Sequence, residues 1–159
     1  MIPEAPFFFS IAALSVTLAG FAGLVAAFRR GAEWRAMDVF RLREIAEFGL
    51  GNALIALLAV PLGATLGDFA AAFRVCAIVA GVFVVGGGVV VIRRGARLNV
   101  RGDRTWYAFA GIVDVGAIAA AIATAAAPSV ALFEWMLFFL LARPMLVFVL
   151  VLGSLRHEA

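Results

Sequence analysis

The chain contains no lysine; all thirteen of its basic residues are arginine. That absence excludes a retinal-type Schiff base, a pyridoxal phosphate lysine and any amine nucleophile. Cysteine occurs once, as Cys76 inside an apolar run, so neither a disulfide framework nor a thiolate metal site can be built within one chain. Histidine also occurs once, as His157 near the C-terminus, which excludes bis-histidine haem and histidine-rich metal sites for a single subunit. Charge is scarce, at 14% of residues.

Apolar residues fill the space that charge leaves. They make up 65% of the 159 residues, and the mean hydropathy is +1.11. A soluble domain of this length has too little interior to hide so much apolar surface. The runs are long enough to cross a bilayer as helices, and none shows the strict alternation of a barrel strand. The sequence therefore predicts an all-α, polytopic transmembrane helical bundle forming a single domain over residues 1–159, with the lipid bilayer as its main partner. The net charge of +3 and pI near 10.4 do not point to nucleic acid, because the arginines flank apolar spans without interleaved aromatics.

Five spans are expected. They run from about Pro6 to Phe28, Phe48 to Leu66, Phe69 to Ile92, Trp106 to Ala127 and Ala131 to Leu155. The first lacks a positive n-region and is too long for a signal-peptide core, so it reads as a retained span. Pro61 lies inside the second span. A Gly67-Asp68 turn leads to the third, Thr105 or Asp103 supplies a cap for the fourth, and Pro128-Ser129 separates the last two. Arg143-Pro144 interrupts the fifth, which leaves open four full spans with a broken or re-entrant fifth.

Between the first two spans, Gly31–Glu47 reads as an arginine-rich elbow. Pairs such as Asp38 with Arg41 and Arg43 with Glu47 favour a solvated or interfacial helix, with Trp34, Met37, Ile45 and Phe48 turned to the lipid boundary. Five arginines lie in 29–47, five in 93–105, and Arg156 in the C-terminal tail, whereas the opposite side has only Arg74 near its edge. The positive-inside rule then places the N-terminus outside and the C-terminus in the cytoplasm.

The stretch LAGFAGLVAAF (Leu18–Phe28), followed by Trp34, Asp38 and RLREI (Arg41–Ile45) and a span ending in Pro61, resembles a loose group of small bacterial multi-span membrane proteins. The likeness covers roughly Thr17 to Pro61. It implies a bacterial inner-membrane setting and carries no chemistry.

Two charges lie deep in the expected spans. At about 1.5 Å of rise per residue, Asp114 is roughly 12 Å from Trp106 and Arg143 roughly 15 Å from Phe133, so both fall near the middle of a hydrocarbon core about 30 Å thick. An unpaired charge there costs several kcal/mol, and each must face protein, a partner or a wet cavity. The pair reads either as an ion or proton pathway or as a structural ion pair fixing the last two helices. Pro144 frees the carbonyl of Leu140, which serves a lined cavity and a kinked packing helix equally well. Arg74 and Glu134 are expected to pair at the outer boundary, and Asn52 to make an interhelical hydrogen bond.

Ser15, Ala19, Gly23 and Ala27 recur every fourth position and give the first span a smooth face for helix packing or a subunit interface. Ala77 with Gly81 and the run Gly86-Gly87-Gly88 do the same in the third, and Ala119, Ala123 and Ala127 in the fourth. The triple glycine is no phosphate loop, since it sits within an apolar run and no Gly-Lys-Ser/Thr follows. No intramembrane histidine can activate Ser10, Ser15 or Thr17, and neither a HExxH motif nor paired carboxylates at one depth occur, which argues against an enzyme. No cofactor or metal is expected. Two functional readings follow: an oligomeric ion channel or transport protein, or a non-catalytic accessory or assembly subunit of a larger membrane complex.

Overall fold

The computed structural model describes residues 4–28, 36–97 and 104–156, with side chains left undescribed at 104–106 and 154–156. These residues form five helices: α1 (Ala5–Phe28), α2 (Ala36–Leu66), α3 (Phe69–Arg97), α4 (Arg104–Ala126) and α5 (Val130–Arg156). Each is long and apolar enough to span a bilayer, and the protein is an all-α, five-span integral membrane protein.

The turns show why the chain reverses where it does. After α2, Gly67 takes φ = 65°, the left-handed conformation that ends a helix and that a Cβ would penalise. The Asp68 carboxylate then accepts the Ala70 N–H at 2.8 Å, capping α3. Between α4 and α5, the Ser129 hydroxyl accepts the Leu132 N–H at 3.3 Å. Of the expected caps of α4, Thr105 is already inside the helix, and Asp103 lies outside the described residues.

The core is layered along the bundle. One layer joins Phe8 and Ile11 of α1, Ala53–Ala59 of α2, Phe73–Val84 of α3, Ala117–Ala121 of α4 and Phe133–Leu141 of α5. Phe133 stacks on Phe73 at 4.7 Å between centroids, with Phe8 edge-on at 5.3 Å from Phe133. At the opposite end, Ala22, Leu42, Ile45, Val147 and Val151 tie α1, α2 and α5 together. Phe40, Phe48 and Val91, with Met37 and Tyr107 against them, tie α2, α3 and α4. Successive helices therefore run in opposite directions. The late part of α1 meets the early part of α2, and the ends flanked by arginine-rich sequence gather at one end.

Three expectations are corrected. The elbow is no separate interfacial helix over its described part, since residues 36–47 are the first turns of α2. At about 1.5 Å per residue, this 31-residue helix is roughly 46 Å long, so it outruns a hydrocarbon core of about 30 Å. Ile45 and Phe48 are buried in protein and Met37 is half-buried against the Phe40–Phe48 cluster, so none of these three serves as a lipid-facing anchor; Trp34 lies outside the described residues. The charged face is buried as well: Asp38, Arg41 and Glu44 are inside, and Asp38 and Arg41 approach to 3.9 Å. Of the two expected pairs, Arg43–Glu47 lies at the surface. Finally, α5 is continuous through Pro144, which removes the broken or re-entrant alternative. Pro144 is fully buried, so packing on neighbouring helices holds α5 together where the proline removes a backbone bond.

Candidate functional site

Arg143 sits midway along α5, thirteen residues from either end, and only 3% of its surface is exposed. Its guanidinium is held from two sides. Toward α2, Nε donates to Glu44 Oε1 at 3.1 Å and Nη2 donates to the same oxygen. Toward α4, Nη1 donates to Asp114 Oδ2. Beneath it, the Phe48 ring lies 4.6 Å from the guanidinium carbon, close enough for a cation–π contact. Phe48 itself leans into space left by Gly87, where an added Cβ would come within 2.8 Å of the ring. That close approach is the role of the middle glycine in the triple-glycine run.

The two carboxylates differ in access. The Glu44 side chain is 1% exposed and that of Asp114 is 20% exposed. Glu44 Oε1 takes both donors from Arg143, while Oε2 is buried with no hydrogen-bond partner among the described residues. A carboxylate oxygen without a donor in low dielectric is costly, because burial removes the water that would solvate its charge. Arg41 and Asp38, one turn and more before Glu44, extend the buried charge along the same helix. Tyr107 of α4 completes the rim, with its hydroxyl 3.9 Å from Met37 Sδ.

Beside this cluster, Asn52 Nδ2 donates to Ser15 Oγ at 3.0 Å and to the Leu137 carbonyl at 3.4 Å, linking α1, α2 and α5. The expected interhelical role of Asn52 is what the structure displays. Nearer the surface, Glu47 accepts from Arg43 within α2 and from Arg94 of α3 at 3.2 Å.

The structure brings Asp114 and Arg143 together and adds Glu44, which the sequence reading left among solvated charges. A usable signal existed. Glu44 precedes Phe48 by four residues and Asn52 by eight, so it continues the buried face of α2 by helical spacing.

Arg74 and Glu134 are not brought together, which corrects the expected boundary pair. Arg74 Nε instead donates to the Ala125 carbonyl at 2.9 Å. Ala125 is in the last turn of α4, whose carbonyls have no helical donor and carry the negative end of the helix dipole. An arginine on the neighbouring helix satisfies both needs.

The small-residue face of α1 divides in two. Ser15 and Ala19 are buried against α2, where Gly49 permits the approach: a Cβ there would lie 2.8 Å from the Ser15 carbonyl oxygen. Gly23 and Ala27 are exposed. Gly23 lines an open groove of about 500 Å³ with Ala19, Ala22, Ala26, Val39 and Leu42.

No family model, curated protein or solved structure matches the chain. The functional reading rests on the cluster itself.

Proposed function

We propose that this protein is a small ion-transport protein of the bacterial inner membrane, with Glu44, Asp114 and Arg143 forming its ion site. The N-terminus lies outside and the arginine-rich ends face the cytoplasm, following the bias of arginines in the sequence. The supporting observation is the unpartnered Glu44 Oε2 beside Arg143. A pair serving only to fix two helices closes with one carboxylate per guanidinium. Here a second carboxylate is held on the same guanidinium, one of its oxygens has no donor, and Asp114 keeps partial access to the surroundings. No enzymatic chemistry is part of this reading.

Flux measured in vesicles reconstituted with the purified protein tests it. Wild type should pass protons or a monovalent cation, and Asp114→Asn should keep the fold while abolishing flux. A wild type silent across protons, sodium and potassium would end the transport reading.

A second reading, a non-catalytic accessory or assembly subunit, is favoured by the exposed half of the α1 face. Gly23 and Ala27 continue the packed Ser15–Ala19 row onto the surface, where a second helix from another copy or another protein would fit as α2 does further along.

A further inference from the structure

The groove between α1 and α2 has two apolar walls and one charge. Ala19, Gly23 and Ala26 share a face of α1, and Val39 and Ala46 share a face of α2, with Arg43 set beside them. On the α1 side no lining side chain is larger than a methyl group, so the wall is smooth and about 500 Å³ stays open. At about 1.5 Å of rise per residue, the groove is roughly 10 Å long on each helix. Counted back from the Gly67 turn, a hydrocarbon core about 30 Å thick ends near Glu47. The groove therefore sits at the arginine-rich boundary, its Ala19–Ala46 end toward the acyl chains and its Ala26–Val39 end toward the headgroups.

We propose that this groove binds one anionic phospholipid, with an acyl chain along the two apolar walls and the phosphate on Arg43. The Arg43 side chain is 59% exposed and places one of its five N–H donors, at Nε, on Glu47 Oε1 at 2.5 Å. Its terminal nitrogens remain for the paired oxygens of a phosphate, the geometry a guanidinium fits best. Glu47 does not belong to Arg43 alone, since Arg94 donates to both oxygens of the same carboxylate. The sequence around the groove has the same sign: residues 29–47 and 93–104 together carry ten arginines against five carboxylates. Anionic headgroups gather at such a surface. An uncharged lipid would use the walls without the guanidinium. A helix from a second copy would press apolar side chains on Arg43 and strip its hydration. An anionic lipid matches the walls and the charge at once. The site is separate from Glu44, Asp114 and Arg143, and it stands whether or not the protein carries ions.

Native mass spectrometry of the full chain released from nanodiscs counts the lipids it keeps. From equal parts of phosphatidylglycerol and phosphatidylcholine, the wild type should retain one phosphatidylglycerol per chain in preference to phosphatidylcholine. Arg43→Gln should lower phosphatidylglycerol retention about fivefold, the worth of one arginine at an anionic surface, and leave phosphatidylcholine unchanged. Gly23→Leu fills the groove from a position where a Cβ meets nothing within 4 Å, and should also lower phosphatidylglycerol retention. Should that variant fail to fold, Ala26→Leu does the same from another exposed position. Arg97→Gln removes an equal charge at the exposed end of α3, outside the groove, and should leave retention unchanged. Equal losses in Arg43→Gln and Arg97→Gln would reduce the effect to diffuse attraction and overturn the site. Unchanged retention on filling the groove, or a wild type without preference for phosphatidylglycerol, would overturn it as well. A lipid-free wild-type dimer that Gly23→Leu dissociates would give the groove to a second copy instead.

Discussion

Arg143 and Glu44 are 99 positions apart in the chain, yet Arg143 Nε lies 3.1 Å from Glu44 Oε1 in the interior of the bundle. This contact changes what a charge exchange between Asp114 and Arg143 should do. In a simple two-residue bridge, reversing both charges restores the attraction. Here the combination Asp114→Arg with Arg143→Asp would set an aspartate against Glu44. The exchanged protein should therefore recover little of the stability lost by Arg143→Gln, a loss of about 3–5 kcal/mol expected from breaking a buried ion pair. Denaturant unfolding in mixed micelles measures this, and recovery of half or more would show that Glu44 contributes nothing to holding Arg143.

The two halves of the α1 face should respond in opposite ways. Gly49→Ala drives a methyl toward the Ser15 carbonyl and should cost about 1–3 kcal/mol through strain between α1 and α2. A Cβ at Gly23 meets nothing within 4 Å and the position is exposed, so Gly23→Leu should leave stability within about 0.5 kcal/mol of wild type. If the exposed half joins subunits, the same Gly23→Leu protein should show a lower oligomer mass in mild detergent. An unchanged mass would assign Gly23 and Ala27 to lipid.

Arg74 should act through α4 and not through Glu134. Arg74→Ala removes the donor to the Ala125 carbonyl and should destabilise by about 1 kcal/mol. Adding Glu134→Gln should give a strictly additive loss. A coupling above about 0.5 kcal/mol in the double-mutant cycle would restore the boundary pair.

Orientation is open to direct labelling. Cysteines placed at Ala127 and Gly102, in a background lacking Cys76, should react with an impermeant reagent from opposite sides of the membrane. Ala127 should react from outside, and outside labelling at Gly102 would reverse the assigned topology.

Much of the architecture was legible in the residue order. The number of spans follows from apolar runs, because in a bilayer an uninterrupted run must satisfy its own backbone as a helix. The reversal at Gly67-Asp68 follows from local chemistry that acts within a few residues: a glycine able to take positive φ and an aspartate able to cap. Depth was also legible, since rise per residue converts position into height, and that was enough to set Asp114 and Arg143 against each other.

Partnership around the helix axis was decided only by the tertiary structure. The i,i+3 and i,i+4 charge pairs of α2 look the same from sequence whether the face meets water or protein, so the pairs by themselves do not separate Glu44 from Glu47; only the spacing of Glu44 to Phe48 and Asn52 does. Rotation of α2 separates them: Glu44 turns inward with Phe48 and Asn52, while Glu47 turns to Arg94 at the surface. The same rotation between helices sends Arg74 to the end of α4 and leaves Glu134 without it. Sequence periodicity fixes which residues share a face, but which neighbour that face meets depends on how all five helices pack together, and no local signal encodes that.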